Sequence, residues 1–168
     1  IWIGDLFKRA NSTSGPGSSW TNSAGTWGIT SELLYSETDA DADFVTWDTD
    51  LKDGYIRAVV SGTLNHATTV RIPDIAFRIR EDRDGAIDLT TALFVQLKNA
   101  VVDLRKNDGG TEASLTTATQ TTTNGTYYVV EVKWEGSLVR VWVNEVLLIS
   151  YNLLGSDLKY TEYPRVGV

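Results

Sequence analysis

Residue types alternate with a period of two along several segments of this chain, and most of these segments alternate apolar with polar side chains. This period constrains the fold more than any other feature. Residues 75–80 alternate Ile, Phe and Ile with Ala, Arg and Arg. Residues 128–135 alternate Tyr, Val, Val and Trp with Val, Glu, Lys and Glu, and residues 138–144 set Val between Leu, Arg, Trp and Asn. Successive side chains of a strand point to opposite faces, so the pattern predicts half-buried strands and an all-β protein.

Turn signals divide the chain into short pieces, the clearest being Asp53-Gly54, Asp84-Gly85, Asn124-Gly125 and Glu135-Gly136. The predicted strands lie near 2–8, 25–30, 33–37, 43–47, 54–64, 74–81, 91–97, 100–106, 112–118, 126–135, 138–144 and 146–151. The Thr-rich stretch 115–126 fits either a loop or a polar edge strand. Many short strands indicate a sandwich or barrel. With 168 residues, 42% of them hydrophobic, we expect one domain over residues 1–168.

Composition excludes several kinds of function. The formal net charge of −7 argues against a general binder of nucleic acid or of an acidic membrane, because both need a basic face. No apolar run approaches the roughly 20 residues of a membrane helix. The absence of cysteine excludes disulfides and thiolate metal sites. A catalytic triad or a histidine zinc site would depend on His66 alone, which lies in a polar stretch typical of an exposed position.

Three segments carry a family resemblance through their order and spacing. The first is Asp5-Leu6-Phe7-Lys8-Arg9-Ala10-Asn11 with Trp20, the second is Gly25-Thr26-Trp27-Gly28-Ile29, and the third is the predicted hairpin over residues 127–144. Together they resemble a concanavalin A-like (laminin G-like) jelly roll of bacterial and bacteriophage proteins. The resemblance implies a two-sheet antiparallel jelly-roll sandwich. The first two segments are most similar to domains of phage minor tail proteins.

The resemblance implies a non-catalytic structural or recognition domain of a phage tail or baseplate. Its partners would be other virion proteins, further copies of the chain, and host-surface carbohydrate, and its location would be the virion. The alternative is a carbohydrate-binding module of a secreted bacterial protein, and a glycoside hydrolase is a third interpretation. Glu145 departs from the family pattern, which has Gly in that turn. The chain also stops at Gly167-Val168, where such domains have a further strand, so we expect a larger parent polypeptide.

The acidic residues give little support to catalysis. Glycosidases of the concanavalin A-like class resemble one another in a strand of alternating Glu and Asp, and retaining hydrolysis needs two carboxyls roughly 5 Å apart. The alternating run here, Asp39, Asp41 and Asp43, contains no Glu. It predicts a solvated turn or a loop for Ca²⁺, which prefers oxygen ligands. Glu131 and Glu135 flank Lys133, a pattern more typical of a solvated sheet face with ion pairs than of a catalytic pair. We therefore expect no enzyme.

The aromatic residues offer a more specific candidate site. If the three Val of 138–144 face the core, Arg140, Trp142 and Asn144 face outward together. An outward Trp between Arg and Asn predicts a ligand-binding patch. The alternatives are packing of this Trp under a loop or against the other sheet, and a subunit interface. Trp20, Trp27 and Trp134 are predicted to lie in the core.

Overall fold

The structure is a computed structural model. It describes residues 21–24, 27–30, 33–36, 44–48, 52–61, 63–65, 69–71, 74–81, 87–88, 90–98, 100–123, 125–163 and 165–167. The strand predicted at 2–8 lies outside these residues. None of the helices in the described ranges is long and apolar enough to cross a membrane.

The described residues form short strands and one 3₁₀ helix. The strands are β1 (Thr21–Ala24), β2 (Trp27–Thr30), β3 (Leu33–Ser36), β4 (Phe44–Asp48), β5 (Gly54–Ser61), β6 (Thr63–Asn65), β7 (Thr69–Arg71), β8 (Ile75–Glu81), β9 (Ile87–Asp88), β10 (Thr91–Lys98), β11 (Val101–Asp108), β12 (Thr111–Thr119), β13 (Tyr127–Glu135), β14 (Leu138–Val143), β15 (Val146–Asn152) and β16 (Arg165–Gly167). The helix, η1 (Gly155–Glu162), joins β15 to β16.

Apart from the β2–β3 pair, the described strands build two antiparallel sheets. The larger sheet follows the order β1-β4-β16-β8-β10-β11-β12, with β6 and β7 attached through β10 and β9 attached to β8. The four-stranded sheet follows the order β15-β14-β13-β5, and β2 pairs with β3 alone. Because β12 ends its sheet, the Thr-rich stretch begins as an edge strand. The predicted all-β antiparallel sandwich is thus confirmed.

The core lies between the two sheets and is made by the alternating residues that the sequence points inward. It takes Leu93, Val95 and Leu97 from β10 and Val139, Val141 and Val143 from β14, each at most 1% exposed. Removing such side chains from water is the main favourable contribution to folding.

Trp134 connects the sheets and lies in the core, as the sequence predicted. Its ring is 3% exposed and stacks on Phe77 of β8, with 5.1 Å between ring centroids. Its Nε1 donates a hydrogen bond of 2.9 Å to the carbonyl oxygen of Lys52. A Cβ placed on Gly54 would lie 2.5 Å from the Cζ2 atom of the ring, so only glycine leaves room for Trp134 here.

Arg78 interrupts the alternation that the sequence predicts for β8. Its φ of 51° is left-handed, and the register of β16 passes from Ile79 to Phe77 without a partner for it. This bulge turns the Arg78 side chain, which is fully buried, toward the other sheet. There Nη2 donates to the carbonyl oxygen of Gly136 and lies 3.4 Å from Asp53 Oδ1. Burial lowers the pKa of Arg78, and the carboxylate of Asp53 opposes that shift.

Gly54→Ala should lower the free energy of unfolding by about 2 kcal/mol, because the new methyl group overlaps a ring held by stacking and a hydrogen bond. Urea unfolding followed by Trp fluorescence measures the change. In a Trp134→Phe background the same substitution should cost much less, since the smaller ring leaves space. Equal costs in both backgrounds would contradict the steric explanation.

The carboxyl of Asp74 should make the free energy of unfolding depend on pH. Burial raises the pKa of Asp74 to about 6. The hydrogen bond of 3.1 Å that Gln96 Nε2 donates to Oδ2 acts in the opposite direction and lowers the pKa. Between pH 4 and 6 the folded state therefore holds a proton that the unfolded state has lost, so this carboxyl favours unfolding increasingly as pH rises. Asp74→Asn should be more stable than the parent by roughly 2 kcal/mol at pH 7 and nearly equal at pH 4. Urea unfolding at both pH values tests this, and a difference independent of pH would contradict it.

Candidate functional site: the outer face of the four-stranded sheet

The outward direction of Arg140 and Trp142 follows from the burial of their neighbours. Val139, Val141 and Val143 are at most 1% exposed in the core, so the residues between them point away from it. Arg140 and Trp142 are both half-buried on that side. The predicted parity of this strand is confirmed, whereas ligand binding by these residues stays a prediction.

Strand pairing brings two further residues beside each of these side chains. Trp142 lies opposite Glu131, which lies opposite Arg57 in the next strand. Arg140 lies opposite Lys133, which in turn lies opposite Tyr55. Side chains directly opposite each other in an antiparallel pair share a face and are in contact range. We call this surface the Trp142 face; its central residues are Tyr55, Arg57, Glu131, Lys133, Arg140 and Trp142.

Glu131 is the middle residue of the cross-strand row Trp142–Glu131–Arg57 and forms hydrogen bonds with neighbouring side chains. Its Oε1 accepts a hydrogen bond of 3.0 Å from Arg57 Nε, and its side chain is 20% exposed against 52% for that of Arg57. The Tyr55 hydroxyl also donates a hydrogen bond to the Glu131 carboxylate. The pKa of Tyr55 is raised by its partial burial first and by the charge and hydrogen bond of Glu131 next. One carboxylate thus orients a guanidinium and a phenol beside the indole.

The second cross-strand row, Arg140–Lys133–Tyr55, carries two positive charges and no carboxylate of its own. Lys133 Nζ lies 3.3 Å from Glu135 Oε2 in an ion pair along β13. The side chain of Arg140, directly opposite Lys133, has neither a hydrogen bond nor an ion pair within the part of the chain that the structure describes. The predicted solvated face with ion pairs is therefore present around Glu131 and Glu135, and it leaves one cation unmatched.

Exposed apolar side chains border the Trp142 face at one end. Val59 is 55% exposed and Tyr127 is 58% exposed, while Leu147, opposite Trp142 in β15, is 49% exposed. Large exposed apolar side chains grouped beside polar ones are typical of interaction surfaces. The face therefore joins an apolar end to a charged centre.

Asn144 occupies the turn after β14 rather than the strand. The turn consists of Asn144 and Glu145, with φ of 48° and 69°, between the paired residues Val143 and Val146. Positive φ at both positions is the signature of a type I′ hairpin turn. Asn144 Oδ1 accepts a hydrogen bond of 2.9 Å from the backbone N–H of Val129. Its side-chain oxygen therefore holds the hairpin, and its amide N–H groups are what it can offer a ligand.

The other predicted site residues lie where the structure gives no description of side chains. Asp39, Asp41, Asp43, His66 and Trp20 are outside the described residues, and of Trp27 the structure describes only the backbone, in β2. Among the described side chains, no group of three or more His, Asp or Glu residues is placed to hold a metal ion. A Ca²⁺ site at Asp39, Asp41 and Asp43 remains a prediction.

Tyr55, Arg57 and Glu131 were not part of the patch predicted from the sequence. The alternation of β5, in which Tyr55, Arg57 and Val59 share one side, could have revealed them. What the sequence lacked was the register that sets β5 beside β13.

Comparisons with known proteins identify similar folds. Neither a family model nor a curated protein matches the sequence. Among solved structures, the chain is similar to the carbohydrate binding module CBM66 from Bacillus subtilis, with a TM-score of 0.65, 15% identity, and coverage of 89% of this chain and 86% of that one. It also matches sheep galectin-11 in complex with glycerol, with a TM-score of 0.49 and 8% identity over 77% of this chain and 90% of that one. The first likeness shows a shared sandwich fold.

Glu145→Gly should raise the free energy of unfolding by about 1 kcal/mol, because a left-handed residue with a Cβ is strained and glycine is not. Thermal unfolding measured by circular dichroism gives the change. Glu145→Ala is the control, since it removes the charge but keeps the Cβ, and it should not stabilise. Equal stabilisation by both variants would assign the effect to charge instead.

Proposed function

We propose that this chain is a non-catalytic carbohydrate-binding domain and that the Trp142 face is its binding site. One observation carries the proposal. A half-buried Trp142 stands on an outward sheet face directly beside the hydrogen-bonded pair of Glu131 and Arg57.

The chemistry of this group suits a sugar. An indole ring offers a flat apolar surface for the C–H face of a pyranose. A carboxylate accepts hydrogen bonds from sugar hydroxyls, and a guanidinium donates them in a fixed geometry. Because Glu131 already holds Arg57 and Tyr55, little side-chain freedom is lost on binding, which favours affinity.

The structural likeness supports the same interpretation. The solved structure with a TM-score of 0.65 is a carbohydrate binding module. This supports the carbohydrate-binding alternative from the sequence more than a specific role in a phage virion. The resemblance to phage tail domains, with virion partners or self-association, remains a proposal about where such a domain would work. Glu131 and Glu135 are each paired with a cation, so we assign them to binding and solvation rather than to hydrolysis.

A glycan microarray followed by calorimetry on the bound oligosaccharide tests the proposal. Trp142→Ala should weaken binding by roughly tenfold or more, since truncating a central aromatic residue removes the main contact. Leu154→Ala is the control, because Leu154 is 70% exposed and lies outside the Trp142 face. Thermal unfolding must show that both variants fold. The absence of binding to any glycan, or full binding by Trp142→Ala, would reject this site.

A further inference from the structure

Arg140 is the unmatched charge of the Trp142 face. The face carries three cations, at Arg57, Lys133 and Arg140, and two carboxylates, at Glu131 and Glu135. The carboxylates are taken by Arg57 and Lys133. Arg140 is left without an ion pair in the described part of the chain, and the whole chain has a net charge of −7. The site is therefore locally positive on an acidic protein.

Neither residue directly opposite Arg140 in the sheet carries a negative charge that could pair with it. Lys133 lies directly opposite on β13, and like charges at such a position destabilise a sheet. On the other side Ser150 of β15 lies opposite and carries no charge. An anion bound beside Arg140 would offset the repulsion from Lys133 and give the planar guanidinium a charged partner.

Arg140 and Trp142 are two residues apart on one strand, so their backbones are separated by roughly 7 Å along it. That spacing lets the acidic substituent of one sugar reach Arg140 while the ring of that sugar, or of the next one, stacks on Trp142. The planar guanidinium matches a carboxylate or sulfate group in two-point hydrogen bonding.

We propose that the ligand of the Trp142 face is an acidic glycan, with its anionic group bound at Arg140 and a sugar ring on Trp142. This inference rests on the carbohydrate-binding function proposed above and adds the chemical class of the ligand.

The test compares glycans that differ only in charge, on an array and then by calorimetry. Suitable pairs are oligogalacturonate with its methyl-esterified form, and sulfated with unsulfated oligosaccharides of the same backbone. We expect the acidic member to bind about tenfold or more tightly, and Arg140→Gln to abolish that preference. Raised salt should reduce it, because charges on a solvated face are screened.

Matched variants separate the local charge from other effects. Lys98→Gln removes one positive charge from an exposed position on the larger sheet and should leave the preference unchanged. Arg140→Lys keeps the charge without the planar fork and should retain part of it. Equal binding of acidic and neutral glycans, lost in Trp142→Ala, would overturn the acidic ligand while leaving the proposed function intact. No glycan binding at all would overturn both.

Discussion

The stacking of Trp134 on Phe77 joins the two sheets, and together with the buried Val130 and Val132 it keeps the opposite side of β13 toward solvent. Once this indole is inside, alternation places Val132 inside and Lys133 and Glu131 outside. A slip of one residue would reverse every side chain, bury the charges and expose the valines, so the register is strongly specified. Pairing passes this parity to β14, where it turns Trp142 outward. The candidate site is therefore a consequence of the core contact behind it.

Arg78 adds a polar connection between the same sheets, in which favourable hydrogen bonds are offset by the cost of burying a charged group. Its Nη2 donates to the carbonyl oxygen of Gly136, but its Nε and Nη1 atoms are buried without a hydrogen-bond partner among the described residues. Unpaired buried N–H groups cost free energy, and Asp53 offsets part of that cost. Since Asp53 Oδ1 also accepts a hydrogen bond of 2.7 Å from the Gly136 N–H, both groups meet at the β13–β14 turn and fix its position against β8.

Long alternating strands could be predicted from the sequence, and short or interrupted elements could not. The pattern of 138–144 predicted both the strand and its inward valines, because six or more residues suffice to show a period. Strands of two or three residues, such as β9 and β16, show no period and form through their partners. The bulge at Arg78 was missed because alternation assumes an unbroken register. In the same way Arg140, Trp142 and Asn144 were predicted as an outward group, while Arg57 was not, since only the pairing of β5 with β13 places it opposite Glu131.

The separation of inner and outer faces also limits what a shared fold can say about binding. Core valines hold the backbone of β14, so the side chains on its outer side are free to change without loss of the fold. Two sandwiches at 15% identity can therefore share strand order and differ entirely in the residues on this face. Ligand chemistry is set by which side chains the register brings together. Here these are an indole, a carboxylate that holds a guanidinium and a phenol, and an arginine facing a lysine, and the proposed binding depends on this combination.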